Sequence, residues 1–251
     1  MIQATHQQLI ESYHPGLSLS HFLQRSSPYN QSIAELGVKS FLKMVLIDNF
    51  CHADLHPGNV LVEFYQPPFW GESILPDALN KFLWPCVEPD YDYLKNSNEL
   101  EWNEYLDKLK GLGFLPRLVV LDCGLVSQLN ETDQDHLKAC SKAMLNFDGK
   151  AIAQRMVSGS KYPAKVYDVD GFTESIQQQL NIIKIDKHGQ LPLSRLFALD
   201  LVNNIVGLIQ KHRITLEGDF LSLFLSCLLV EGIGKTLNAD MDMIQVLSEY
   251  M

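Results

Sequence analysis

Apolar residues recur near the helical period in several stretches of the chain, and the clearest stretch lies between residues 32 and 46. There the apolar positions are Ile33, Leu36, Phe41, Leu42, Val45 and Leu46, which is the spacing of one helix face. Ser32 and Glu35 have the spacing of a capping box, in which each side chain bonds the other residue's backbone N–H. The pattern therefore predicts a helix that begins at Ser32.

The second half of the chain has the same helical character. Thr132-x-x-Asp135 resembles a capping box and predicts a helix to about Leu145, and Asp148 is a candidate N-cap for a helix to Met156. Further helices are predicted over residues 172–183, 192–211 and 219–235.

Two runs of β-forming residues interrupt this pattern, at residues 60–64 and 118–121. We expect the two runs to pair as a short β-hairpin. The predicted fold class is α+β, mainly α-helical.

The segment between these runs, residues 64–117, is longer than a hairpin needs and begins rich in proline. Asn98-x-x-Glu101 predicts a helix to Lys110 with Trp102, Leu106 and Leu109 on one face. We interpret residues 64–117 as a surface insertion without a catalytic role. The alternative is a partner-docking element, because exposed aromatic residues serve that purpose too.

Composition narrows the possible functions. The chain has 251 residues, 46% hydrophobic and 20% charged, which is ordinary for a globular protein. Its formal net charge of −10 argues against nucleic-acid binding, which needs a basic face. No apolar run reaches the roughly 20 residues of a membrane-spanning helix. The five cysteines form no Cys-x-x-Cys pair, so neither a zinc site nor a disulfide framework is indicated.

The candidate chemistry lies at the two ends of the predicted hairpin. Asp54 and Asn59 are five positions apart, and Asp122 directly follows the second β-forming run. The catalytic loop of kinases has an Asp and an Asn at this spacing, and a second Asp that binds metal ends a strand. Such oxygen-bearing side chains suit phosphoryl transfer, which depends on positioning and on magnesium. Asn59 and Asp122 are therefore expected to reach one metal site.

Two histidines flank Asp54. His52 has the place of a scaffold histidine in kinase loops, so a structural role is expected. His56 stands where protein-phosphorylating kinases have a lysine, and both a structural role and direct participation remain open.

The motif His-Ala-Asp-Leu-His-Pro-Gly-Asn-Val-Leu-Val at residues 52–62, followed by Asp-x-Gly at 122–124, resembles the UbiB family. These are aarF-domain-containing atypical kinases linked to coenzyme Q biosynthesis. The resemblance covers residues 11–130 best and implies a kinase-like C-lobe. It implies that Asp54 is catalytic and that Asn59 and Asp122 hold Mg2+ and bind ATP. Cys123 departs from the family, where most relatives have Phe, which puts in doubt the packing that sets an active conformation.

The resemblance also suggests a cellular setting. It implies a mitochondrial protein that supports coenzyme Q and lipid metabolism, with nucleotide as ligand and lipid or quinone-pathway proteins as partners. It divides the chain into a hinge-like segment, residues 1–30, and a C-lobe, residues 31–251, that carries the insertion.

A complete kinase site also needs a Gly-rich loop and a strand lysine upstream of the catalytic loop. Neither is recognisable before Asp54, and Lys39 and Lys43 lie on the predicted helix. The chain is therefore expected to lack the N-lobe and to be inactive alone. No Ala-Pro-Glu segment follows Gly124, which favours a small-molecule substrate, an ATPase cycle or a regulatory role over protein phosphorylation.

Two other functions remain open. Aminoglycoside and choline kinases carry a similar loop, so the chain could belong to a small-molecule phosphotransferase of that type. It could also be a non-catalytic, pseudokinase-like module that binds a partner or lipid.

Overall fold

The structure is a computed structural model that describes residues 3–4, 8–10, 12–52, 55–67, 88–121, 126–186, 196–215, 218–241 and 243–251. The chain divides into two compact units. The first comprises Met1–Ile33 and His56–Asp122, and the second comprises Ala34–Leu55 and Cys123–Met251. The expected division at residue 30 and the expected insertion remain predictions.

The described strands are short and all pair antiparallel. In chain order they are β1 (Gln3–Ala4), β2 (Leu9–Ile10), β3 (Leu17–Ser18), β4 (Cys51–His52), β5 (Val60–Tyr65), β6 (Leu115–Val120) and β7 (Val126–Ser127). The first unit contains the pair β1–β2 and a three-stranded sheet in the order β3-β5-β6, and the second contains the pair β4–β7. The predicted hairpin is β5–β6, so that prediction is confirmed.

Helices make up most of the described chain. They are α1 (Leu19–Gln24), α2 (Asn30–Leu46), α3 (Tyr91–Asn96), α4 (Glu99–Gly111), α5 (Glu131–Leu145), α6 (Gly149–Ser158), α7 (Val169–Asp186), α8 (Leu196–Lys211), α9 (Gly218–Leu237) and α10 (Met243–Ser248). The predicted class, α+β and mainly α-helical, is confirmed. Within the described residues, no helix is both long enough and apolar enough to cross a membrane.

The core of the first unit is built around Trp102 of α4, whose side chain is fully buried. Its ring lies 5.1 Å from that of Phe22 in α1, and its indole N–H donates to the carbonyl of Ser26 at 3.0 Å. Lys110 of α4 donates to the carbonyl of Pro28 at 2.8 Å. Within the described part of the predicted insertion, Trp102 thus serves packing in the core of this unit.

Helix α4 confirms the predicted capping box. The Asn98 side chain accepts the backbone N–H of Glu101, and the Glu101 carboxylate accepts the N–H of Asn98 at 3.0 Å. The predicted face is buried at Trp102, Leu106 and Leu109. All of these contacts lie within four residues or one helix face, which is why the sequence reveals them.

Helix α2 begins two residues earlier than predicted. Ile33 donates its N–H to the carbonyl of Tyr29, and the Ser27 hydroxyl accepts the N–H of Tyr29, so the first turn forms before Ser32. The predicted cap at Ser32 is therefore wrong. Most predicted apolar positions are buried, but Leu36 is 36% exposed.

The helices of the second unit enclose a separate apolar cluster. Its buried members come from α5, α6, α7 and α8 and from the residues that follow α8, namely Ala143, Ile152, Ala153, Met156, Phe172, Ile176, Leu180, Ile209 and Ile214. Asp148 caps α6 as predicted, accepting the N–H of Ala151 at 2.9 Å. The cap of α5 is Asn130, which accepts the N–H of Asp133, so the predicted cap at Thr132 is wrong.

Candidate functional site

A single 3-10 turn, Pro57–Asn59, carries Asn59 into the start of β5. The imidazole Nδ1 of His56 accepts the N–H of Gly58 at 3.1 Å, and Asn59 donates its N–H to the carbonyl of His56 at 2.8 Å. The hydroxyl of Ser18 in β3 donates to the carbonyl of Pro57 at 3.2 Å. The turn is therefore held both by its own residues and by the neighbouring strand.

The other end of the hairpin meets this turn through the backbone. Leu121 donates its N–H to the carbonyl of Asn59 at 2.7 Å, and Val60 is paired with Val120 in the adjacent register position. Leu121, the residue directly before Asp122 in the sequence, is therefore hydrogen-bonded to the backbone of Asn59.

In the second unit, the segments before Asp54 and after Gly124 are paired with each other. Cys51 lies opposite Ser127 and His52 opposite Val126 in the β4–β7 pair. His52 is 4% exposed. Its position inside a paired strand agrees with the structural role expected for it.

Of the three predicted site residues, Asn59 is described, and its side chain is partly exposed. Asp54 and Asp122 lie outside the described residues, as does Cys123. Among described side chains, no cluster of three or more His, Cys, Asp or Glu residues could hold a metal ion. The roles of Asp54, Asn59 and Asp122 therefore stay predictions.

The chemistry of the predicted donor set can still be compared with the metal. In the predicted donor set, Asn59 would hold a metal through its side-chain carboxamide oxygen, while its backbone N–H and carbonyl are bonded in the turn and hairpin. Carboxamide and carboxylate oxygens are hard ligands of the kind Mg2+ prefers. The residue types fit magnesium.

Sequence reasoning missed a buried ionic group on β5. Glu63 is 3% exposed, and its carboxylate accepts from the Nδ1 atom of His14 at 2.9 Å and from Nε of Arg117 at 2.7 Å. A buried carboxylate is stable only when it is paired and hydrogen-bonded. A charged residue in the otherwise apolar run 60–64 was the available signal, but its partner His14 lies 49 positions away.

His56 and Cys51 flank the proposed catalytic segment with different properties. His56 is exposed, and its Nδ1 atom caps the turn. This contact supports a structural role for His56. Because Nδ1 accepts a hydrogen bond, the proton of the neutral imidazole is on Nε2. Burial raises the pKa of the Cys51 thiol to about 11. A thiol in that state is a poor nucleophile at neutral pH.

Comparison with known proteins gives a consistent result. The family model described as ABC1 atypical kinase-like domain matches residues 2–77. The chain is 34% identical over 252 residues to ABC1 family protein C21C3.03, mitochondrial, of Schizosaccharomyces pombe, covering 98% of this chain and 34% of that protein. No solved structure matches.

Two further relatives agree. ABC1 family protein YPL109C, mitochondrial, of Saccharomyces cerevisiae is 27% identical over 244 residues, covering 94% of this chain and 36% of that protein. Probable protein kinase UbiB of Histophilus somni is 24% identical over 221 residues, covering 88% of this chain and 31% of that protein.

Along nearly its whole length, the chain is similar to members of the ABC1 atypical kinase-like family. The predicted resemblance to UbiB is thereby confirmed, and so is the mitochondrial location by resemblance, since two relatives are named as mitochondrial. The chain spans about a third of the length of these curated relatives.

Proposed function

We propose that this chain supplies the catalytic loop and the magnesium-binding residues of a UbiB-type atypical kinase or ATPase. In this proposal Asp54 orients or deprotonates the acceptor. Asn59 and Asp122 would hold Mg2+, which would neutralise the negative charge of the ATP phosphates. The whole protein would support coenzyme Q and mitochondrial lipid metabolism, with lipid or quinone-pathway proteins as partners.

One observation carries the proposal, the hydrogen bond from the N–H of Leu121 to the carbonyl of Asn59 at 2.7 Å. It supports a shared metal site because it holds Leu121, the residue directly before Asp122 in the sequence, at the backbone of Asn59. The pairing of Val60 with Val120 is the adjacent step of the same ladder.

The turn around Asn59 supports it further. Magnesium demands near-ideal geometry from its ligands, so a ligand gains from a backbone that is fixed before the metal binds. Here the backbone is held at Pro57 by Ser18 and at Asn59 by both His56 and Leu121.

A thermal-shift titration with Mg2+ and ATP tests the proposal. A ligand that binds only the folded state raises apparent stability, by about 2.7 kcal/mol at a hundred times its Kd. We expect wild-type protein to be stabilised by Mg2+ with ATP and Asp122→Asn to lose that response. Asp135→Asn, which removes the same charge from the exposed face of α5, should respond like wild type.

The outcome that would contradict the proposal is equally definite. If neither this chain nor a longer natural chain that contains it responds to Mg2+ with ATP, the site does not bind nucleotide. A response retained in Asp122→Asn would remove Asp122 from the metal site.

Turnover is measured separately, by phosphate release from ATP. Activity is not expected from the 251-residue chain alone, and activity abolished by Asp122→Asn would overturn that expectation. Loss of turnover in Asp54→Asn with ATP binding retained would support the catalytic role of Asp54. A screen of amine and alcohol acceptors with an active full-length relative distinguishes a small-molecule phosphotransferase.

A further inference from the structure

Asn49 has an unusual backbone for a residue with a side chain. It lies three positions after the end of α2 and has φ of 46°, in the left-handed region. Asn tolerates this region better than most residues other than Gly. The backbone alone would accept Gly, so the presence of Asn directs attention to its amide.

The amide of Asn49 bonds both backbone groups of one distant residue. Its Nδ2 donates to the carbonyl of Leu129 at 2.9 Å, and its Oδ1 accepts the N–H of Leu129 at 3.0 Å. Donor and acceptor are thus both matched, which fixes the orientation of the amide. Leu129 is 7% exposed and lies 80 positions along the chain.

These two bonds extend the β4–β7 pair. The backbone pairs are Cys51 with Ser127 and His52 with Val126, and the amide of Asn49 acts as one more peptide group toward Leu129. An isolated two-stranded pair of such short strands is marginal in water. The side chain of Asn49 therefore contributes a substantial part of the hydrogen bonding that joins the two segments.

The two strands that Asn49 and Leu129 help to pair lie close in sequence to the predicted site residues. Asp54 follows β4 by two residues, and Asp122 precedes β7 by four. The hydrogen bonds between Asn49 and Leu129 thus join the segment before the proposed catalytic loop to the segment after Asp122-Cys123-Gly124 in the sequence.

We infer that Asn49 is a positioning residue for the site: its hydrogen bonds to Leu129 hold together β4 and β7, the strands that precede Asp54 and follow Asp122 in the sequence. The inference rests on the proposed function. Residues that orient metal ligands without touching the metal change metal affinity by about 10- to 100-fold when removed. Displacement by about 1 Å of a catalytic group has a comparable effect.

The test uses Asn49→Gly, which allows the left-handed backbone and deletes only the amide. We expect the affinity for Mg2+ in the presence of ATP to fall about tenfold or more. Affinity is measured by calorimetry at a temperature where circular dichroism shows every variant folded. A merely structural role would lower the melting temperature and leave the affinity of the folded protein unchanged.

Two further variants sharpen the result. Asn49→Asp keeps an acceptor for the N–H of Leu129 but loses the donor to its carbonyl, so an intermediate loss of affinity is expected. It also serves if Asn49→Gly does not fold. Asn146→Gly removes an amide that, among the described residues, bonds the carbonyl of Lys142 at the end of α5, and its affinity should match that of wild type.

Hydrogen exchange of the Leu129 amide separates the possible failures. Faster exchange in Asn49→Gly with reduced affinity supports the inference. Faster exchange with unchanged affinity overturns it and leaves Asn49 a structural residue, and unchanged exchange overturns the link itself. If wild type shows no response to Mg2+ with ATP, the proposed function fails and the positioning role with it, while the exchange result still reports the link.

Discussion

The backbone of Gly16 lies against Glu63 so closely that a Cβ atom at position 16 would stand 2.9 Å from the Cγ atom of Glu63. The same atom would stand 2.9 Å from the carbonyl oxygen of Val62. Real Cβ atoms essentially never approach so closely, and one of the two obstacles is backbone. Position 16 therefore requires Gly, because the backbone just before β3 packs directly against β5.

Gly16→Ala is predicted to destabilise the first unit. The methyl group forces the backbone or the paired Glu63 to shift, and such overpacking typically costs about 1–3 kcal/mol. Equilibrium urea unfolding measures the change in the free energy of unfolding.

Gly111→Ala is the matched control in the same unit. A Cβ atom at Gly111 meets nothing within 4 Å, and Gly111 is the last residue of helix α4. Replacing a helical Gly by Ala is expected to stabilise by about 0.5–1 kcal/mol. Equal effects of the two substitutions would contradict the close approach of Gly16 to β5.

The buried carboxylate of Glu63 predicts an asymmetric response to mutation. Arg117→Gln removes one of its two basic partners and leaves the carboxylate with His14 alone, so a loss of about 1–3 kcal/mol is expected. Because the Arg117 side chain is 56% exposed, solvent limits the loss. In the double variant with Glu63→Gln the buried charge is gone, and part of the stability should return.

A double-mutant cycle by urea unfolding measures this coupling. Lys95→Gln is the control, since Lys95 and Asp92 are 3.6 Å apart and both exposed. Exposed pairs of this kind contribute about 0–1 kcal/mol. Strict additivity of the Glu63 and Arg117 variants would show that the pair does not act as a unit.

Helix α4 was predictable because its signals are local. The capping box joins Asn98 to Glu101, and the buried face recurs at helical spacing, so both features are visible in a few residues. The starts of α2 and α5 were misplaced for the same kind of reason. For α5, another polar residue, Asn130, lay two positions before the predicted cap and makes the capping bond instead. For α2, the bonds of Tyr29 form a turn ahead of Ser32.

The candidate site was predictable only in part. The hairpin follows from two apolar runs, and its register places Leu121 beside Asn59. The contacts of Glu63 with His14 and of Asn49 with Leu129 join residues 49 and 80 positions apart. Spacing along one sequence does not reveal such pairs, because nothing in the local pattern around one partner identifies the other.

Trp102 predicts that α4 is required for the stability of the first unit. Its side chain is fully buried, packs on Phe22 and bonds the carbonyl of Ser26. Trp102→Ala should cost about 3–5 kcal/mol. Leu100→Ala on the same helix, where Leu100 is 69% exposed, should stay within about 0.5 kcal/mol. Urea unfolding of both variants measures the difference, and a Trp102→Ala protein as stable as Leu100→Ala would show that this helix is dispensable.

His21 predicts a pH dependence of stability. Burial lowers the pKa of the His21 imidazole, and the charges of Arg25 and Lys95 lower it further. The unfolded chain, with an imidazole pKa of about 6.5, therefore takes up a proton as the pH falls through that value while the folded chain resists. The free energy of unfolding must then decrease as the pH falls below about 6.5. Well above pH 6.5 the titration of His21 has no effect on the free energy of unfolding.

His21→Gln removes this titration, so its free energy of unfolding should fall less than that of wild type between pH 7.5 and pH 5. Urea unfolding at each pH measures the difference, and NMR titration of the imidazole checks its origin. Identical pH profiles, or an imidazole that titrates at or above pH 6.5 in the folded protein, would contradict the prediction.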